Sequence, residues 1–289
     1  MTTPILVVDY ERHHRQDVLS LLFYSRRTHT HLDWFKTGQW LDIPGNVTKL
    51  AYDGNHKLMG MMGLSAPLNG GSWIRLMAVA QGVDVGMMLN ALWSSVEQSM
   101  PQTAIQTVAI LLINTWMSPF LPAMSFKYVE DVITMHRTGI DLPDLPAHGL
   151  TLRNGYSEDI DDIIRVDHTA FAPPWQMTRT DIYQSQRQAA SCTLAEYAGQ
   201  VIGYEISTRH HTSGHLARLA VLPDMQGRHI GTVLLHNLLS KFNRRGVRSM
   251  TVNTQQSNIR SQRLYARYGF YRNGFDLPIW QYDVGHHQQ

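Results

Sequence analysis

Leu216-Ala-Arg-Leu-Ala-Val221, followed by Leu222-Pro-Asp-Met-Gln-Gly-Arg-His-Ile230 and then by Gly231–Arg245, is the stretch on which the reading of this chain turns. The first segment is apolar and bounded by turn residues, as a strand requires. The last places Leu234, Leu238 and Phe242 on one stripe with Leu235 and Leu239 beside it, so it reads as an amphipathic helix that Gly246 ends. Between them, Gln226-Gly-Arg-His-Ile-Gly231 is a strand-to-helix turn. Amides at a helix start lack intrahelical partners and carry the positive end of the dipole, and glycine lets an anion approach the backbone closely. Arg228 adds positive charge. Alone, the turn is either a phosphate cradle or an ordinary connection.

Working outward, Ser157–Ala170 reads as a helix with Ser157 as its cap and Ile160, Ile163 and Ile164 on one face. Thr193–Tyr197 and Val201–Thr208 read as strands joined by Ala198-Gly-Gln200. Ser249–Thr254 is a strand, Ile259–Tyr268 a helix ended by Gly269, and Ile279–Val284 a last strand. The alternation predicts an α/β layer, an α+β arrangement with a mixed sheet.

The same plan occurs twice. Gln81-Gly-Val-Asp-Val-Gly86 lies 145 positions before Gln226-Gly-Arg-His-Ile-Gly231, and Asn114 and Phe126 each lie 144 before Asn258 and Phe270. Asp141-Leu-Pro-Asp-Leu-Pro-Ala-His-Gly149 reads as the linker, giving domains 1–145 and 146–289. The first copy has lost parts. Val83-Asp84 replaces Arg228-His229, Leu121 falls at the position of Tyr265, and Pro119 and Pro122 interrupt the corresponding helix. Met59-Gly-Met-Met-Gly63 reads as a buried strand.

Composition sets the outer limits. Of 289 residues, 43% are hydrophobic and 17% charged, which excludes wholesale disorder. The single Cys192 excludes an internal disulfide framework and a multi-cysteine zinc site. With 25 basic and 23 acidic residues and no basic stripe, nucleic acid is not an expected partner. No run of 18 apolar residues suggests a membrane span, and the start Met1–Asp9 lacks a secretory pattern. The expected location is cytoplasmic. His210, His211 and His215 have no accompanying carboxylate or cysteine spacing, so no metal is expected.

The turn Gln226–Gly231, Asn258 after it, and Leu264-Tyr-Ala-Arg-Tyr-Gly-Phe270 together resemble the GNAT superfamily of acyl-CoA N-acyltransferases, specifically over Leu216–Phe270 and more loosely over 150–284. The resemblance implies two tandem GNAT-like domains, the first degenerate. It also implies acetyl-CoA as cosubstrate and an amine acceptor, either a small molecule or a peptide N-terminus. The diphosphate would lie on amides of Gln226, Gly227, Arg228, His229, Ile230 and Gly231. The pantetheine arm would pair with Leu219, Ala220 and Val221, and Asn258 would bond to it. Tyr265 matches the family's proton donor; otherwise it is a buried helix tyrosine beside Phe270. His229 stands where the first family glycine is expected and Ser261 where an alanine is expected.

An alkylammonium has a pKa near about 10.4 and must lose a proton before attack, so a base is useful. His215-Leu-Ala-Arg-Leu-Ala-Val221 resembles aralkylamine N-acetyltransferase, in which a strand histidine assists deprotonation; the bland reading is an exposed residue at a strand start. Glu205 is the reserve base. Asn253 occupies the glutamate position of the ribosomal-protein alanine branch and cannot accept a proton. Phe171-Ala-Pro-Pro-Trp175, and Trp34, Phe35 and Trp40 in the first half, are candidate acceptor-facing aromatics. No activated cysteine or serine supports an acyl-enzyme, so transfer would be direct. The alternative is an acyl-CoA-binding protein of the same fold without catalysis.

Overall fold

The computed structural model describes residues 5–285; Met1–Pro4, part of the chain start read above, and residues 286–289 lie outside the described residues. The elements run β1 (Leu6–Asp9), α1 (Arg15–Tyr24), β2 (Arg27–Thr30), α2 (Thr37–Leu41), β3 (Val47–Tyr52), β4 (Leu58–Leu64), β5 (Gly71–Val79), α3 (Val85–Ser99), β6 (Thr107–Leu111) and β7 (Lys127–Thr138). They continue with β8 (Thr151–Asn154), α4 (Ile160–Ala170), α5 (Arg179–Gln188), β9 (Ser191–Tyr197), β10 (Gln200–His210), β11 (Ser213–Val221), α6 (Ile230–Arg244), β12 (Ser249–Gln255), α7 (Ile259–Arg267), β13 (Tyr271–Arg272) and β14 (Leu277–Asp283). Helix α5 was not anticipated: its Arg179–Gln188 sequence is polar, and its Thr178 cap with Asp181 is its clearest signal.

The chain divides into two compact units, one reaching Val129 and resuming at Pro278, the other spanning Glu130–Leu277. This differs from a division at residue 145. From Glu130 onward β7 belongs to the second unit, pairing antiparallel with β12 from Thr138↔Ser249 to Val132↔Gln255. Strand β14 belongs to the first, pairing with β6 from Ile279↔Leu111 to Asp283↔Thr107. Backbone pairing overrides chain order, because a strand left unpaired at a sheet edge exposes a row of polar groups. The proline-bearing segment 141–149 has no regular structure, as expected, and lies inside the second unit.

In the first unit the sheet order is β1-β3-β4-β5-β6-β14, with β2 also on β5. In the second it is β7-β12-β11-β10-β9-β8, with β13 also on β7. Each sheet contains one parallel pair, β5–β6 and β11–β12, and each pair is bridged by a crossover helix, α3 and α6. The apolar stripe of α6 is the core of the second unit: Leu235, Leu238, Leu239 and Phe242 pack against Met250, Val252, Tyr265 and Phe270. Gly214 makes this packing possible, since a Cβ there would lie 2.8 Å from the Phe242 ring. Trp40 and Phe35 pack in the core of the first unit with Val18, Leu50 and Met61. Among the described residues no helix is long and apolar enough to cross a membrane.

Candidate active site

A fork in the second sheet creates the site. The parallel ladder between β11 and β12 runs from Ser213↔Ser249 to Leu216↔Val252 and stops, although β11 continues to Val221 and β12 to Gln255. The cause lies on the other edge of β11. There Ser207 faces Leu216 and Ile206 faces Arg218, which leaves Ala217 as an extra, unmatched residue. Such a bulge bends the strand and increases its twist. Beyond it, Arg218–Val221 has β10 on one side and, among the described residues, no strand on the other. Gly203 keeps the intact edge close: a Cβ there would meet the Ala220 carbonyl oxygen at 2.9 Å.

The turn after β11 delivers the chain to α6. Gly227 has φ +83 and His229 φ +63, both left-handed. His229 is the N-cap of α6 and provides no side-chain capping bond. The first amides of a long helix therefore face outward without a side-chain acceptor on them from the cap, an arrangement suited to an anion. Glycine is the residue that adopts this conformation without strain, which explains the expectation of glycine at His229. Gln226 ties the turn down: its Nε2 donates to the Val221 carbonyl at 3.1 Å, and its Oε1 accepts from Arg260 at the start of α7. Arg260 is a cation at this turn that the sequence reading overlooked. Asn258 caps α7, its Oδ1 accepting from the Ser261 amide at 3.1 Å, which leaves its Nδ2 as the donor side of the amide.

Tyr265 is buried on α7 and packs against Phe270 with ring centroids 5.9 Å apart. Burial pushes its phenol up to about 12, against the opposing effect of a hydrogen bond with Ser261. The hydroxyl is therefore protonated near neutrality.

His215 lies in the paired part of β11, before the fork, with Nδ1 2.8 Å from Thr251 Oγ1. Cross-strand register places Thr208, His215, Thr251, His136 and Tyr271 in one row, on one face. His136 is 2.8 Å from Ser249 Oγ through Nε2 and 3.1 Å from Tyr271 Oη through Nδ1. Sequence gave no hint of His136 here, because β7 precedes the linker.

Glu205 is fully buried on β10 and accepts hydrogen bonds from the hydroxyls of Ser191, Thr193 and Ser207. Burial raises its pKa, which those hydroxyls and the charge of Lys241 counteract. The reserve base of the sequence reading thus has its carboxylate enclosed by three hydroxyls on β9 and β10. Burial and the nearby Glu205 push the Cys192 thiol up to about 12, leaving it protonated and weakly nucleophilic. The His210 and His211 rings contact each other edge to face, and among the described residues no group of three His, Cys, Asp or Glu is placed to hold a metal.

On the opposite side of the sheet from α6, Arg218 is half-buried beneath the segment joining α4 and α5. It donates to Asp167 Oδ2 at 2.7 and 2.9 Å and to the Trp175 carbonyl at 2.6 Å, and its guanidinium lies 3.6 Å from the Phe171 ring centre. Tyr204 donates to the same Asp167 oxygen at 2.6 Å, and Asp167 Oδ1 accepts the Met177 amide at 2.8 Å. Gln176 closes the segment by donating to the His168 and Phe171 carbonyls, both at 2.9 Å. The aromatic segment around Trp175 is thus fastened to β11 next to the bulge.

The sequence model of the acetyltransferase (GNAT) family matches residues 158–270. Mycothiol acetyltransferase of Stackebrandtia nassauensis is 30% identical over 168 residues, 53% of this chain and 53% of that protein. The chain thus spans about half the length of that relative. An uncharacterized N-acetyltransferase of Methanocaldococcus jannaschii is 28% identical over 144 residues, 46% of this chain and 85% of its own. Among solved structures, a tandem GNAT protein from the clavulanic acid biosynthesis pathway shares the fold over 98% of this chain and 99% of its own, with a TM-score of 0.67 at 16% identity. A GCN5-related N-acetyltransferase from Sphaerobacter thermophilus covers 98% and 97%, with a TM-score of 0.62 at 16% identity.

Proposed function

We propose, for a chain whose residues 158–270 match the acetyltransferase (GNAT) family model and whose fold is shared over 98% of its length with a tandem GNAT protein, that the second unit transfers an acetyl group from acetyl-CoA to a primary amine. The observation that carries this reading is the fork between β11 and β12, which opens beside a helix start lacking a side-chain cap. An extended pantetheine arm satisfies the backbone of Leu219–Val221, and the diphosphate sits on the amides from Gln226 to Gly231. Arg228 and Arg260 supply positive charge, and Asn258 donates its Nδ2 to the arm.

In this reading an amide N–H of Leu219–Val221 polarises the thioester carbonyl, stabilising the oxyanion that develops. His215 takes the ammonium proton through water, since it lies before the fork rather than in it. The neutral amine nitrogen attacks the carbonyl carbon, a C–N bond forms and the C–S bond breaks. Tyr265, kept protonated by burial, gives its proton to the departing thiolate, and the second proton, shed by the nitrogen as it becomes an amide, passes through water to restore the phenol. Glu205 has a structural role beneath α6. The acceptor enters past the Phe171–Trp175 segment, and its amine belongs to a small molecule or a peptide N-terminus.

A second reading, acyl-CoA binding without catalysis, draws support from His229, whose left-handed backbone is held by a residue with a β-carbon. Calorimetry with acetyl-CoA combined with thiol release against a panel of amines separates the two. Binding with acceptor-dependent thiol release supports the transferase. Binding with no release on any amine supports the second reading.

A further inference from the structure

The first unit forks as the second does. Strands β5 and β6 pair in parallel from Gly71↔Thr107 to Trp73↔Ala109 and then part, although β5 continues to Val79. Here, however, the gap is filled. Strand β4 takes one edge of β5, including Val79, Ala78, Met77 and Leu76. Strand β2 takes the other, with Arg27↔Val79, Thr28↔Ala78, His29↔Met77 and Thr30↔Leu76. Ala78-Val79 is the counterpart of Ala220-Val221 in the repeat, so β2 lies where an extended ligand would pair with β11.

Three further contacts complete the likeness. Asn114, the counterpart of Asn258, donates its Nδ2 to the Thr28 carbonyl at 3.3 Å, and Trp116 Nε1 donates to the same oxygen at 2.9 Å. At the start of α3, Asp84 is the N-cap, and its carboxylate accepts the Met87 amide at 2.8 Å. A negative oxygen of the chain itself thus occupies the helix start where α6 has no side-chain acceptor from its cap. His29 of β2 is buried, and the pairing is prolonged by the His31 amide donating to the Arg75 carbonyl at 2.9 Å.

We infer that the first unit retains a cofactor slot that the chain occupies itself: β2 stands in for an extended thioester arm and Asp84 for a phosphate. This slot is closed to acyl-CoA, and its ligand is residues 27–30. The occupant contributes main-chain pairing and buried surface that no free cofactor needs to supply. The inference rests on the proposed function only in taking acetyl-CoA as the ligand of the second unit.

The test uses the full chain. Equilibrium dialysis with acetyl-CoA should give one equivalent bound, and a Gly227→Asp/Arg228→Asp variant should bind none. Hydrogen exchange should find the amides of 27–30 and 76–79 protected in the free protein and unchanged by saturating acetyl-CoA, while those of 218–221 gain protection. A second equivalent, residual binding in the variant, or loss of protection at 27–30 on adding acetyl-CoA would overturn the inference. If the wild-type chain binds none, the function proposed for the second unit fails, and exchange at 27–30 still decides this one: slow exchange upholds a resident strand, fast exchange refutes it.

Discussion

Half-buried Arg218 on β11 and fully buried Asp167 on α4 form an ion pair, with two guanidinium nitrogens 2.9 and 2.7 Å from one carboxylate oxygen. The pair also holds both sides of the segment bearing Phe171 and Trp175, because Arg218 grips the Trp175 carbonyl and Asp167 the Met177 amide. Removing one member strands a buried charge, at a cost of about 3–5 kcal/mol. Arg218→Gln is therefore expected to lower stability by that order, and the double variant Asp167→Asn/Arg218→Gln to recover part of it. Chemical denaturation measures both. In the double variant the acceptor KM should rise by about tenfold or more while acetyl-CoA binding is nearly kept, since a displaced positioning segment costs about that much or more. An unchanged acceptor KM would show that the segment does not border the acceptor.

Tyr265→Phe is expected to reduce kcat by roughly 10²-fold with acetyl-CoA affinity nearly unchanged, the loss typical of a positioned proton donor. The phenol, raised from 10.0 to about 12 mainly by burial, remains a donor throughout the ordinary assay range. Because its folded pKa is raised, the associated stability is fully present below 10.0 and is lost as pH rises toward about 12. The wild type should therefore lose stability in that alkaline window more steeply than Tyr265→Phe. Unchanged turnover in the variant would remove Tyr265 from the mechanism.

His215→Ala tests the base. An amine above its own pKa of about 10.4 has no extra proton to lose, so the advantage of a base disappears there. The ratio of wild-type to variant kcat/KM should be about 10²-fold while the amine is mostly protonated and shrink toward unity as pH rises past that value. A ratio that stays constant across the pH profile would assign His215 a structural role with Thr251.

His229→Gly tests the strained turn. Relief of a left-handed non-glycine residue is worth on the order of 1 kcal/mol, partly offset by the greater freedom of the unfolded glycine. Acetyl-CoA should bind as tightly or more tightly, by up to about tenfold, because the β-carbon no longer crowds the diphosphate. Weaker binding by calorimetry would mean that the His229 side chain itself holds the ligand.

The local elements around the turn were legible because each carries its own signal: periodic leucines in α6, a glycine stop at Gly246, and the Ala198-Gly199 hairpin. Both of those hairpin residues adopt positive φ. The duplication was legible because Gln81, Asn114 and Phe126 keep nearly constant spacing to their counterparts. What escaped was non-local. The compact units differ from a division at residue 145 because the pairing of β7 with β12 joins residues over a hundred positions apart, and no linker composition reports that. Arg218 read as part of a strand string, since its partner Asp167 lies on α4, and His136 read as part of the other half. The role of Arg27–Thr30 was invisible for the same reason: four polar residues become a strand only because an open edge of β5 receives them.

The central claim is that main-chain amides at the start of α6 hold a diphosphate, and crystals grown in saturating acetyl-CoA test it most directly. The account predicts diphosphate oxygens at hydrogen-bond distance, about 2.7–3.2 Å, from amide nitrogens between Gly227 and Gly231, with the arm running along Leu219–Val221. Coenzyme bound elsewhere, or a side chain of the protein folded onto those amides in its place, would contradict it.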